Sequence, residues 1–179
     1  MSVVFDTGIL LLIIEPRIGV PNDPRTGTPV SHAQERVQHL LEELDKNRTT
    51  VIIPSPVLAE LLVRETDSFA KYQEILSLTR VVEVSPFDAR AALEFAMTFG
   101  AEIRGGPTRS PIPTSKPTAK FDWQIVAIAK SRNASHLYTT DDRLKRRAES
   151  VGLAASLLHE LSLPPEAAQV AMSLENDNS

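Results

Sequence analysis

Apolar residues are spaced in two ways along this chain: in short continuous runs rich in branched side chains, and in stripes that return every third or fourth position. The first pattern predicts buried strands and the second amphipathic helices. Ser2–Phe5, Thr50–Ile53, Val81–Val84 and Ser135–Thr139 are strand-like runs, and Leu153–Leu157 after Gly152 adds a last one. Ile9–Ile14 predicts a helix with Asp6 or Thr7 near its N-cap. In the next helix Val37, Leu40, Leu41 and Leu44 form the apolar stripe, Glu42, Glu43 and Lys46 fall opposite, and Ser31 is the expected cap. Pro54, Ser55 and Pro56 open a helix that carries Glu60, because proline is tolerated in a first helical turn. Further helices are expected from Asp67 or Ser68 to about Leu78, from Pro86 to about Met97, and from Asp122 to Lys130.

Strand and helix alternate, and parallel neighbours need crossover connections. The pattern therefore predicts an α/β fold: a three-layer α/β/α arrangement around a mainly parallel sheet of four to five strands. In such sheets ligands collect at the carboxyl ends of the strands. Asp6 follows the first strand and Asp141 the fourth.

Two proline- and glycine-rich stretches interrupt the periodicity, and neither sustains a helix or a central strand. They predict inserted loops at 15–31 and 104–119, the first of a length suited to a lid or substrate arm. Residues 1–160 read as a single domain, with a partly disordered tail over 161–179.

A length of 179 residues suffices for one domain with a hydrophobic core. The chain has no cysteine, which excludes disulfides, thiolate metal sites and cysteine nucleophiles and suits a reducing cytoplasm. Ile9–Ile14 is too short to span a membrane and lacks the basic start of a secretory signal. The net charge of −4 argues against gripping nucleic acid by summed positive charge alone. One basic strip remains, Arg143 with Lys145, Arg146 and Arg147, beside the Asp141–Asp142 pair; it is placed either to meet a nucleic-acid backbone or to form a solvated helix face.

The acids carry the candidate chemistry. Asp6 closes an apolar strand, where a charge needs a partner or an ion, or it caps the following helix. Glu60 lies among Ala59, Leu61, Leu62 and Val63 on a helix that is apolar almost all round; an ion pair with Arg64 one turn later is the structural alternative. Asp122 is a candidate N-cap of the helix that Ile125–Ala129 commits to the core. Asp141 is the member of its pair nearer the strand, with Asp142 behind it or capping. Bunched carboxylates repel one another unless a cation offsets them, and a hard oxygen-loving ion, Mg²⁺ or Mn²⁺, fits such a set.

The segments VVFDTGILL, IPSPVLAEL, FDWQIVAIAK and LYTTDDRL, in that order, resemble the successive motifs of PIN-domain proteins over about residues 2–157. In that family a first strand ends in Asp, a helix carries Glu after a proline-containing entry, a later helix begins with Asp, and Thr-x-Asp follows the next strand. The resemblance implies that Asp6, Glu60, Asp122 and Asp141 are both the metal ligands and the catalytic residues. Thr7, Thr139, Asp142, Arg143 and Lys145 would stand behind them or against the substrate. Members of this size resemble VapC-type toxins of toxin–antitoxin pairs, and the implied role is that of such a toxin or of a related RNA-processing PIN protein. The implied activity is an Mg²⁺- or Mn²⁺-dependent endoribonuclease that leaves a 5′-phosphate on RNA. The implied assembly is a homodimer inhibited by a partner antitoxin. The chain departs from the pattern at Gly8, where many relatives carry Asn or Ser, so that a hydrogen bond near the metal is either missing or supplied by Thr7, and in its two insertions.

A catalytically silent PIN-like module that binds RNA or protein is the alternative. An aspartyl-phosphate-forming phosphohydrolase would resemble Asp-x-Asp after the first strand, where this chain has Asp6, Thr7 and Gly8. His32, His39, His136 and His159 show no ligand spacing. Trp123 reads as a core residue before a base-stacking one, and Lys120 as solvated.

Overall fold

A computed structural model of the chain describes residues 1–15, 17–63, 67–78, 81–105 and 116–165. β1 (Ser2–Phe5), β2 (Thr50–Pro54), β3 (Val82–Ser85), β4 (His136–Thr139) and β5 (Ala154–Leu157) form one sheet in the order β3-β2-β1-β4-β5. Every pairing is parallel. Helices make each crossover: α1 (Thr7–Ile14) and α2 (Ala33–Lys46) lead to β2, and α3 (Ser55–Leu62) and α4 (Ser68–Leu76) to β3. α5 (Ala89–Gly105) and α6 (Lys116–Ser131) lead to β4, and α7 (Asp142–Ser150) to β5. The expected three-layer α/β/α architecture is present, with five strands.

The centre of the sheet is a continuous apolar layer. Val4 pairs in register with Ile52 on one side and Leu137 on the other, and all three are essentially buried. Continuous burial of this kind is what a parallel strand covered on both faces requires. Ile125, Val126, Ile128 and Ala129 of α6 are buried in the same core, and α1 buries Ile9, Leu10, Leu12 and Ile14.

Strand order locates the functional end. The chain steps from β1 through β2 to β3 on one side, then places β4 and β5 on the other side of β1. The carboxyl ends of β1 and β4 therefore flank the point where the winding reverses, the position where an open parallel sheet leaves a crevice. The Asp6 amide donates to the Tyr138 carbonyl at 3.2 Å, which holds the two strand ends together there.

Several local expectations need correction. α6 begins at Lys116, so Asp122 lies within the helix and not at its start; Pro117 sits in the first turn, where its missing N–H removes no helical bond. α5 likewise continues to Gly105, so the stretch 104–119 contains a helix end and a helix start. The rest of that expected loop, 106–115, lies outside the described residues. Ser31 does not cap α2: His32 does so, in the left-handed conformation and without a side-chain hydrogen bond.

The stretch 15–31 is a folded arm. Asn22 and Pro29 form an antiparallel bridge, the Asp23 amide donates to the Thr28 carbonyl at 2.8 Å, and Gly27 supplies the positive φ of 73° that the turn needs. Leu161, expected in a tail, is buried in the core; of that expected tail, 166–179 lie outside the described residues. Among the described residues no helix is long and apolar enough to cross a membrane.

Candidate carboxylate site at the sheet switch point

A cavity of about 300 Å³ opens at the carboxyl ends of β1 and β4, and Asp6, Glu60, Asp122 and Asp141 all line it. Thr7, Gly8 and Thr140 complete its polar wall, and Leu11, Phe121, Ile125 and Leu144 its apolar one. Four acids separated by up to 135 positions in sequence thus meet at one crevice. No described residue of the 15–31 arm lines it.

Asp6 is buried and fully engaged. Its Oδ1 accepts from the Ile9 amide at 2.8 Å, making it the N-cap of α1, and its Oδ2 accepts from the Thr139 hydroxyl and from the Thr140 amide at 3.2 Å. The Thr139 hydroxyl in turn accepts the Asp141 amide at 2.9 Å, so this fully buried threonine fixes the chain on both sides of the switch point. Glu60, half-buried on α3, receives the Thr7 hydroxyl on Oε2 at 2.6 Å. The alternative partner considered for it, Arg64, lies outside the described residues.

The other two acids face guanidinium groups. Asp122 is buried, and Arg147 Nη1 donates to its Oδ2 at 2.7 Å. Asp141 caps α7 by accepting the Arg143 amide at 2.8 Å, and the Arg143 side chain closes back on it, with Nη2 to Oδ2 at 2.8 Å. Capping therefore falls to Asp141. Asp142 pairs with Arg146 one turn on, at 2.6 Å, and does not line the cavity.

The basic strip expected to steer RNA is dispersed by helical geometry. Lys145 binds Glu160, at 2.6 Å to Oε2, and lies 3.8 Å from Glu149; Arg146 is taken by Asp142. Arg147 is 1% exposed, because it shares the inward face of α7 with Leu144 and Ala148 at helical spacing. Besides Asp122 it approaches Glu102 at 3.7 Å, while its Nε and Nη2 are buried without a hydrogen bond among the described residues. Glu102 also accepts the Trp123 indole N–H at 2.5 Å, which makes that tryptophan a core contact between α5 and α6.

Charge crowding shows in the acids themselves. Burial pushes Asp6 up to about 6, against its three hydrogen bonds and with help from the Asp141 charge. Asp122 is also pushed up to about 6, by burial first and by Asp141 and Asp6, although Arg147 pulls the other way. Burial acts to raise Asp141 too, but the bonds and charge of Arg143 outweigh it and hold the carboxyl below its usual range. Among the described residues, no three acid or histidine side chains stand close enough, as placed, to hold one ion.

Gly8 is required by its neighbour: a Cβ there would overlap the Thr140 hydroxyl and come within 3.0 Å of the Thr140 Cβ. Thr7, expected to stand in for the side chain that Gly8 lacks, is committed to Glu60. The space where a side chain at position 8 would stand is occupied by the Thr140 hydroxyl.

An acid-lined crevice at the switch point of an all-parallel α/β/α sheet defines the architecture, and solved structures share that fold. The chain is similar to VapBC2 from Rickettsia felis bound to a DNA fragment from their promoter, with a TM-score of 0.57 and 20% identity over 88% of this chain and 98% of that one. It is similar to DNA-bound VapBC from Salmonella typhimurium, with a TM-score of 0.56 and 16% identity over 88% and 98%. It is also similar to VapBC-1 from nontypeable Haemophilus influenzae, with a TM-score of 0.54 and 14% identity over 89% and 100%. The fold is thus the PIN-like, VapC-like fold that the motifs implied. No protein-family model and no curated protein matches the sequence.

Two predictions follow from the packing and the charge. Gly8→Ala should destabilise the chain by about 1–3 kcal/mol in urea unfolding, and Thr140→Ala should recover part of that loss in the double variant; additive losses would refute the contact. For Asp6 and Asp122 the folded pKa, about 6, lies above the ordinary 3.8, so between these values the folded chain holds protons that the unfolded chain has lost. Their contribution to stability is greatest below about pH 4 and is lost as pH rises through 6, by roughly 3 kcal/mol per group at most. The depressed His136 acts in the opposite sense just below its ordinary value, so the quantity to measure is a difference. In metal-free buffer, wild type relative to Asp6→Asn should lose stability from pH 4 to about 7; a flat or rising difference would refute the assignment.

Proposed function

We propose that this chain is a metal-dependent endoribonuclease that hydrolyses RNA phosphodiesters as the toxin of a toxin–antitoxin pair. The observation that carries this reading is the convergence of Asp6, Glu60, Asp122 and Asp141 on one cavity at the sheet switch point. Likeness in fold to the VapBC structures supports the toxin class, an antitoxin protein as partner and, with it, work in the cytoplasm. A homodimer is part of the same proposal.

In its chemistry the donor set suits a hard divalent cation, and holding one would require the four acids to draw closer than they stand. The set offers only carboxylate and hydroxyl oxygens, the ligands that Mg²⁺ or Mn²⁺ prefers, with Arg143 on Asp141 and Arg147 on Asp122 offsetting part of the acidic charge. Asp6, Glu60 and Asp122 would hold the ion, and Asp141 would join them on giving up Arg143. When bound, the ion supplies Lewis acidity toward the phosphodiester and activates water for attack.

The remaining work belongs to the chain. The Thr139 hydroxyl and the amides of Ile9 and Thr140 fix both oxygens of Asp6, Thr7 fixes one oxygen of Glu60, and Arg147 fixes one of Asp122. Such buried supports keep ligands oriented without reorganisation. Leu11, Phe121, Ile125 and Leu144 thin the water around the acids, which strengthens every charge interaction in the crevice. Arg143, half-exposed at the rim, is suited to meet a backbone phosphate once it leaves Asp141.

A silent RNA- or protein-binding module is the second reading, favoured by the two arginines that already pair Asp122 and Asp141. Incubation of the purified chain with single-stranded RNA separates the two. The expected result is cleavage that requires Mg²⁺ or Mn²⁺, stops with EDTA and leaves 5′-phosphate ends. Asp6→Asn and Asp122→Asn should each lower it about a hundredfold or more with an unchanged circular dichroism spectrum. Wild-type-like cleavage in either variant contradicts the site, and metal-independent RNA binding without cleavage establishes the silent module.

A further inference from the structure

The arm at 15–31 encloses a second cavity, of about 170 Å³, separate from the four acids. Arg25, Thr26, Thr28, Ser31, Arg36 and His159 line it together with Asp23. Asp23 anchors the turn: its carboxylate accepts the Arg25 amide at 2.9 Å, Arg25 Nε at 3.1 Å and Nη2 at 2.8 Å, and it lies 3.7 Å from His159 Nδ1. Arg25 is thereby held at the cavity with its Nη1 making no hydrogen bond among the described residues.

Arg36 is held differently. It donates Nε to the Ser31 carbonyl at 3.0 Å and Nη1 to the Leu161 carbonyl, and its Nη2 makes no hydrogen bond among the described residues. Both of its partners are neutral, so no acid pairs with it directly. Burial, together with repulsion from Arg25 and against the pull of Asp23, holds its pKa below the ordinary arginine value. Glu160 has both oxygens on Lys145, and its charge still acts on Arg25; Glu43 borders Arg36 on the side away from this cavity. Two guanidinium groups and one carboxylate thus line the cavity, each guanidinium with a terminal nitrogen that makes no hydrogen bond among the described residues, beside three hydroxyls of which those of Thr26 and Thr28 bond each other at 2.9 Å.

We propose that this cavity binds a phosphate group, with Arg25 Nη1 and Arg36 Nη2 as its charged donors and the hydroxyls of Thr26, Thr28 and Ser31 around it. Guanidinium pairs are suited to a tetrahedral oxyanion because they offer several directed N–H groups at fixed charge. The cavity lies beside the 3-10 turn Leu158–Glu160 that directly follows β5, and β5 pairs with β4, whose end leads into Asp141. Both cavities thus occupy the same carboxyl edge of the sheet. A phosphate further along an RNA strand held at the acids is one source, which rests on the proposed ribonuclease function; free inorganic phosphate is the other.

The test uses the full ¹⁵N-labelled chain in EDTA, so that no cleavage is needed, titrated first with inorganic phosphate and then with a short single-stranded oligoribonucleotide. Saturable shifts are expected at the amides of Arg25, Thr26 and Thr28. Arg25→Gln and Arg36→Gln should each weaken binding at least about tenfold. Shifts with both ligands assign the site to RNA backbone phosphate, and shifts with phosphate alone assign it to the free anion. No saturable shift with either, or equal affinity in Arg25→Gln or Arg36→Gln, overturns the proposal. Absence of RNA cleavage in metal would overturn the ribonuclease reading and leave this result standing.

Discussion

Repulsion among carboxylates that the fold forces together is the constraint on which the rest depends. Asp6 and Asp122 are buried, Asp141 raises the cost of ionising both, and the outcome is two acids pushed up to about 6. The chain answers with two internal cations and several fixed donors. Arg147 is nearly without exposure and has two nitrogens lacking hydrogen bonds among the described residues, an expensive placement for a guanidinium. Its position is understandable only beside an equally buried acid. Arg147 and Arg143 pair Asp122 and Asp141, and in the proposed function a divalent ion offsets the charge of the crevice further.

The parallel sheet sets where this happens. Strand order β3-β2-β1-β4-β5 puts the ends of β1 and β4 side by side, so a residue following each strand faces the same crevice. Thr139 then joins the two sides, donating to Asp6 and accepting from the Asp141 amide. Gly8 and Thr140 are complementary in the same way: the missing side chain on α1 is the room that the threonine after β4 occupies. Packing and electrostatics at this point are one problem, solved by the same residues.

Much of this was legible in the order of residues. Strand boundaries and the placement of Asp6 and Asp141 followed from short apolar runs ending in an acid, because a buried parallel strand has few other ways to look. Asp122 was found, but as a helix start, since Pro117 reads as a breaker when it is not known to lie in a first turn. Arg147 was grouped with Arg143, Lys145 and Arg146 by linear charge. The signal that separates it was available in Leu144 and Ala148, which share its helical face. The arm at 15–31 could be recognised as an interruption but not as a built turn, because the Asp23–His159 contact joins residues far apart in sequence.

Calorimetric titration of the metal-free chain with Mn²⁺ near neutral pH addresses the central claim most directly. The account predicts saturable binding of one ion per chain, strongly weakened in Asp6→Asn and in Asp122→Asn. No binding, or equal binding by both variants, would mean that Arg143 and Arg147 already satisfy the crevice and that its acids hold no catalytic ion.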